Sequence, residues 1–523
     1  HGAPGCLPDL AHIHGKNASL VKNPARPWKA RLSLPVFYHG RTGFPNSIFS
    51  KGGRHGVHWA RLPWYTIAMN AIKGQKIIGC LWAAILAGAF GMWAMQAGYC
   101  GLAMLAAGVS CCLFLLCALG WSSALDGGLK EWPSPDAALG KRSLRWSRRH
   151  PWVAIALGVL GLRLALYVLA YWVDLGVNGY SGGLWDGLAR LWLRTDSPSY
   201  LGIAENWYVT TGDARFHIVF FPLYPLCIRV VNWLLGNTFA AAMAVSNLFA
   251  VGSGILLYEL AALDLPRRDA LYTTALAMVF PGAMFLGAPM TESLFLFLCL
   301  GCVLLGRKGR FLLAALAAAL AGFTRSVGVL LAVYLGVEML VSLVRRPEKR
   351  LARVFGYLGC LLAACLGTLA YLGVNAAVTG DPFTFLTYQK EHWSQSLSLF
   401  FNTAAYQTEY LLNSLAAGET RMAWGLYIPN LVCGFGALGI MVPGIKKLRP
   451  GDGAFFLAYY GVAMGCTWLL SAPRYLAVCY PLALGLGALA QGKPAWLRWS
   501  LLGCMFLLQV GYTCLYILGF PVY

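Results

Sequence analysis

Charge is scarce in this chain, and acid is scarcer than base. Of 523 residues, 12% are Asp, Glu, Lys or Arg, and 20 acids stand against 41 Lys and Arg. A soluble globular domain carries about 25%, so a single large soluble fold is excluded. Charges are rarer still inside long stretches. Residues 151–173 hold only Arg163, and residues 75–96 hold only Lys76. A bilayer core about 30 Å thick needs about 20 such residues in a helix. No apolar segment leads the sequence: the first run begins near Ile77, so no cleavable signal peptide of the usual form is expected. Metal-ligand spacing is also wanting. Most of the 16 cysteines fall in apolar runs, and the Cys299–Cys302 pair has no second CxxC. Small packing residues in helices explain them, so neither a disulfide framework nor zinc is expected.

What is present is an excess of base, a formal net charge of +21. A nucleic-acid protein would show a soluble basic domain or face. Here the base lies in short loops between apolar runs, which is the positive-inside pattern, so no nucleic-acid partner is expected. The pattern predicts an all-α polytopic membrane protein. Residues 1–76 read as a basic, disordered cytoplasmic tail, close to anionic lipid. Residues 77–120 form an accessory pair of transmembrane helices. Residues 121–150 form a basic cytoplasmic loop, and 151–523 the main transmembrane domain. Threading from Lys130, Lys141, Arg142, Arg145, Arg148 and Arg149 places 174–215 and 379–421 outside. Glu292, Arg325 and Arg474 fall at outer helix ends. About 11 to 13 helices are expected by span length. Between Arg215 and Glu292 three apolar runs occur where an even number of crossings is needed. The run through Phe220-Phe221-Pro222-Leu223-Tyr224-Pro225 is expected to fail to span, because its prolines break the backbone ladder.

The acids and the outer bases are the candidate site. Asp196 follows an amphipathic piece, 184–193, and precedes Ser197-Pro198. It reads either as a helix cap or as a general base at the membrane surface. Glu292 is either a first-turn acid favoured by the helix dipole or a functional carboxylate bordering hydrocarbon. Arg325 and Arg474 are the only bases at their outer turns. They read as interfacial anchors or as an anion clamp, because guanidinium forks onto phosphate oxygens. Lys390 and His392 flank Glu391 beside Trp393 in the second external segment. Asp381, between Gly380 and Pro382, reads as a turn residue, and Asp186 as a weaker competitor to Asp196.

Four segments, in order, carry a resemblance. They are Asp196-Ser197-Pro198-Ser199-Tyr200 running on to Tyr208, Phe220 to Leu226, Gly287 to Leu294, and Leu320-Ala321-Gly322-Phe323-Thr324-Arg325. Together they resemble the PIG-V-type mannosyltransferase family, over roughly residues 151–523. The family usually has Trp where this chain has Thr195, and often His where it has Ser199. The resemblance implies a GT-C-like multi-helix transmembrane bundle in the cell membrane with its site in an external cavity. It implies a polyprenyl-phosphate sugar donor and a glycan or glycolipid acceptor. Asp196 and Glu292 would be the catalytic acids. Arg325, Arg474, Lys390, His392, Tyr200 and Thr324 would bind substrate. Carboxylates suit Mg or Mn, though no ligand cluster demands a metal. A transporter or flippase of lipid-linked sugars is the rival reading, but no convincing internal repeat is found. A non-catalytic subunit of a glycan assembly system is the other.

Overall fold

The structure is a computed structural model that describes residues 63–131, 151–180, 182–345 and 350–523. The expected basic tail, except for its last residues, and most of the basic loop lie outside them. The described residues fall in one compact unit, Leu62–Tyr523. They are helical throughout, and their one extended pairing is an isolated bridge between Leu397 and Cys466.

The chain begins with α1 (Pro63–Ala94), α2 (Gly101–Glu131) and α3 (Trp152–Asn178). Two short helices follow, α4 (Leu184–Trp192) and α5 (Ser197–Asn206), then α6 (Leu223–Leu235), α7 (Thr238–Ala261), α8 (Arg267–Met278) and α9 (Glu292–Arg307). Next come α10 (Phe311–Gly322), α11 (Leu331–Arg345), α12 (Arg350–Thr379), α13 (Thr384–Trp393) and α14 (Phe400–Ala416). The last are α15 (Ile428–Gly444), α16 (Pro450–Ala463), α17 (Ala472–Ala477), α18 (Tyr480–Ala490) and α19 (Ala495–Ile517).

Among the described residues, eight helices are long and apolar enough to cross a membrane. A ninth is reached if the bent pair Asp213–Val219 and Leu223–Leu235 counts as one span. This is fewer than the 11 to 13 expected from run length. The reason is that several apolar runs break inside. The helices α8 to α10, α16 and α18 are only 11 to 16 residues long. Prolines and glycines such as Pro281, Pro289, Gly309 and Gly492 stand beside their ends. The run with Phe221 and Pro222 is broken at its prolines: its two pieces meet at 110°, and α6 is only 13 residues long.

Packing follows the helical period. On α3 the buried residues are Ile155, Val159, Arg163, Leu166, Ala170 and Asp174, a stripe at steps of three and four. Val153, Leu157, Leu160 and Leu164 stay exposed. Lipid tails are as apolar as Leu, so burying such faces drives little in a bilayer. Close packing and polar contacts between helices must hold the bundle. Two ionic clusters do so at the two ends of α9. At its last turn Arg307 pairs with Asp264 at 2.6 Å and with Asp452, and Arg449 pairs with Asp264 at 2.7 Å. Glu338, the acid read as lying well inside an apolar run, accepts the Gly451 N–H there at 3.3 Å. The other cluster surrounds Glu292. Cys299 and Cys302 are buried free thiols of α9, as their apolar setting implied.

Candidate active site

Four chain breaks converge at the Glu292 end of α9. Each supplies one residue. Asp196 stands just before α5, where Pro198 pre-sets the first turn. Glu292 opens α9, Arg325 lies in extended backbone after α10, and Arg474 lies in α17. Side chains on broken helices point into the bundle at a fixed level, which a continuous helix cannot arrange for four strands of chain at once.

The four form a continuous chain of charge. Arg474 Nη1 donates to Asp196 Oδ2 at 2.6 Å and Arg474 Nε to Glu292 Oε1 at 2.6 Å. Arg325 Nη1 donates to the same Glu292 oxygen and, at 3.1 Å, to Thr291 Oγ1. The order is therefore Asp196, Arg474, Glu292, Arg325, with alternating sign. Burial is graded along it. The Glu292 side chain is 1% exposed and Arg474 5%, whereas Arg325 is 16% and Asp196 29% exposed. The inner pair fixes geometry and the outer members face accessible space. Asp196 Oδ1 accepts no hydrogen bond from the described residues, so one carboxylate oxygen is free.

The helix-cap reading of Asp196 is thus half right. It occupies the cap position of α5, and its carbonyl accepts from Ser199 and Tyr200, but its side chain makes no cap bond. The carboxylate is drawn to Arg474 instead. Thr195 just before it has φ +54, a region that β-branched residues avoid at a cost of about 1–3 kcal/mol. Arg194 anchors that turn by donating to the carbonyl oxygens of Tyr516, at 3.0 Å, and Ile517 at the end of α19. Glu292 is the first residue of its helix, as the dipole argument required, yet two guanidiniums occupy it and it is closed to solvent. Both guanidiniums meet Oε1, and Oε2 has no hydrogen-bond partner among the described residues.

The remaining candidates separate. Tyr200 is buried, its ring 5.1 Å from Phe220 and 5.4 Å from Tyr224. Burial, and then the Asp196 charge, push its hydroxyl above the usual tyrosine range, so it stays a proton donor. Thr324 is buried and turns its hydroxyl back to Leu320 O at 2.8 Å. The hydroxyl that meets Arg325 is Thr291, which the sequence reading passed over. Lys390 is exposed on α13. His392 stacks on Phe216 at 4.3 Å, and Trp393 lies 5.8 Å from Phe220. This aromatic patch therefore touches Tyr200 through Phe220 but does not touch the four charges. Asp381 accepts from Phe383 N–H at 3.0 Å, a turn bond as expected. Asp186 is exposed on α4. Arg474 stands between Asp196 and Glu292 and pairs with both. Among the described residues no three of His, Cys, Asp and Glu converge.

No protein-family model matches the chain. GPI alpha-1,6-mannosyltransferase 2 from Cricetulus griseus is 31% identical over 167 residues. There the chain is similar to a GPI mannosyltransferase. The resemblance read from the four motifs is borne out by that match, which spans 30% of this chain and 31% of the relative's length. Among solved structures, ArnT from Cupriavidus metallidurans bound to undecaprenyl phosphate aligns at a TM-score of 0.40 and 16% identity, covering 66% of this chain and 62% of that one. The archaeal oligosaccharyltransferase AglB from Archaeoglobus fulgidus, in complex with an inhibitory peptide and a dolichol-phosphate, aligns at 0.32 and 11%, covering 69% and 56%. Shape likeness at this level assigns no residue.

Proposed function

We propose that this protein is a membrane glycosyltransferase that moves a hexose, mannose in the first instance, from a polyprenyl-phosphate donor to a glycan or glycolipid acceptor on the external face of the cell membrane, with inversion. The observation that carries this reading is the alternating chain of Asp196, Arg474, Glu292 and Arg325. One carboxylate oxygen is free beside two guanidiniums that retain unused N–H groups. Inverting transfer needs a base for the acceptor hydroxyl and cations for the phosphate that leaves.

In the reaction Asp196 Oδ1 takes the acceptor proton as the acceptor oxygen bonds to the sugar C1. The bond from C1 to the phosphate oxygen breaks, and polyprenyl phosphate departs with that electron pair. The four charges sum to zero before the step. Protonation of Asp196 leaves the cluster one positive charge in excess and weakens the Arg474 Nη1 bond from an ion pair to a neutral hydrogen bond. That charge appears as the phosphate gains its own. Arg325 and Arg474 receive the phosphate, Glu292 holds both, and Lys390 and His392 stand at the rim, where the acceptor enters over the aromatic patch.

The test is transfer by purified protein in lipid nanodiscs, with radiolabelled polyprenyl-phosphate mannose and a membrane glycolipid extract. Labelled glycolipid is the expected product. Absence of transfer from mannose, glucose and arabinose donors alike would contradict the proposal and favour a non-catalytic subunit.

A further inference from the structure

One buried charge is not used by that chemistry. Arg163 lies about 16 Å along α3 at 1.5 Å per residue. It is 1% exposed. Among the described residues no carboxylate pairs with it. An ionised side chain inside a membrane helix is costly and is retained where it has work to do. Its partners are backbone carbonyls: Nη1 donates to Ala283 O at 2.6 Å, and Nη2 approaches Met278 O at 3.4 Å. Met278 ends α8, so the cation sits at a helix C-terminus, the end its dipole favours.

The segment it grips lies between α8 and α9, where the chain runs as a 3-10 turn, Pro281–Leu286, and not as α-helix. Such backbone is tolerated at membrane depth only where its polar groups find partners. Tyr167 supplies one to Gly287 O at 2.7 Å, and Gln509 supplies Met278 O and Phe280 O at 3.1 and 3.3 Å. The segment has no slack. A Cβ on Gly287 would lie 2.6 Å from Tyr167 Oη and 3.0 Å from Arg163 Cδ. On the other side, a Cβ on Gly282 would lie 1.9 Å from Pro473 O and 2.6 Å from Arg474 N. The stretch is therefore clamped between α3 and the backbone that bears Arg474.

We infer that Arg163 is a positioning residue: by holding the Ala283 carbonyl it seats Gly282 against Pro473, and so sets where Arg474 meets Asp196 and Glu292. The inference rests on the proposed transfer for its kinetic readout but not for its structural one. Without the guanidinium, the 3-10 turn that bears the Ala283 carbonyl loses the side-chain donor that ties it to α3, and the turn is free to shift. The cation acts through one residue of backbone, without touching substrate.

The test compares wild type, Arg163→Met and Arg163→Lys in nanodiscs, with kcat expressed per folded molecule from thermal unfolding and size-exclusion yield. A misplacement near 1 Å costs about 100-fold in rate, so Arg163→Met should lose about that in kcat, and donor KM should move far less. Arg163→Lys, which keeps one donor for Ala283 O, should recover a large part. Hydrogen exchange gives an arm independent of activity. In Arg163→Met, amides of 282–287 and of 474–477 should both exchange faster, and those of α12 should not. A kcat per folded molecule within about twofold of wild type, or faster exchange confined to α3 and 282–287, would overturn the inference. If Arg163→Met does not accumulate, Arg163→Lys carries the test, with a partial loss of kcat and the same exchange pattern; wild-type values in both would overturn it. If wild type itself transfers no sugar, the proposed function fails and the exchange arm alone decides the positioning role.

Discussion

Asp196 and Arg474 stand 278 residues apart in sequence and meet at 2.6 Å. Asp196 heads a short helix after a strained turn, and Arg474 begins another between two membrane helices. Their meeting makes one site of two regions that charge alone had marked separately. Arg474 is the hub, because its other edge holds Glu292.

Glu292 should matter as an organiser. Replacing it by Gln keeps its shape but leaves Arg325 without a carboxylate partner and Arg474 with Asp196 alone. Breaking a buried pair in this way costs about 3–5 kcal/mol. Glu292→Gln should therefore lower the thermal midpoint clearly and abolish turnover in the fraction that folds. A midpoint equal to that of wild type would count against the buried ionic chain.

Arg474 and Arg325 should differ in kind. A lysine is a point donor and cannot fork between two carboxylates. Arg474→Lys must abandon Asp196 or Glu292, and kcat should fall by about 10²–10³-fold, as for loss of one preorganised donor. Arg325 hydrogen-bonds Glu292 and Thr291, lies over the Tyr475 ring and is more open. Arg325→Lys should act mainly by raising KM for the donor lipid. Equal effects of the two on kcat in steady-state assays would contradict the hub role of Arg474.

The opposite end of α9 gives a contrast. Arg307 is buried between Asp264 and Asp452, far along the helix from Glu292. Arg307→Met leaves Asp452 without its ionic partner, while Asp264 keeps Arg449, at a cost of about 3–5 kcal/mol. The thermal midpoint should drop while kcat per folded molecule stays at the wild-type value. A selective loss of kcat would tie this cluster to the chemistry.

Much of this site was legible in the residues. Asp196, Glu292, Arg325 and Arg474 stood out because ionised groups at the borders of apolar runs are costly, and all four came together. The break in the Pro222 run was legible too, since proline removes a ladder hydrogen bond. Other features were hidden for physical reasons. Thr324 and Thr291 are equivalent in composition, and only the helix register shows that one turns back to Leu320 and the other faces Arg325. Arg163 was visible as a lone mid-span charge, but its partners are carbonyls more than 100 residues away, and carbonyls have no sequence signature. Helix number was overread, because run length does not reveal where a run bends. Lys390 and His392 shared a segment with aromatics, and His392 joins their stack through Phe216 while Lys390 is exposed.

The central claim is that Asp196 is the base. The direct measurement is single-turnover sugar transfer by Asp196→Asn in nanodiscs, beside binding of polyprenyl phosphate to the same preparation. Asn keeps the size and can still accept from Arg474, but it cannot take a proton. The account predicts transfer reduced by about 10²–10⁴-fold, the worth of a positioned base, with the protein folded and still binding lipid phosphate. Transfer at the wild-type rate in that variant would contradict it.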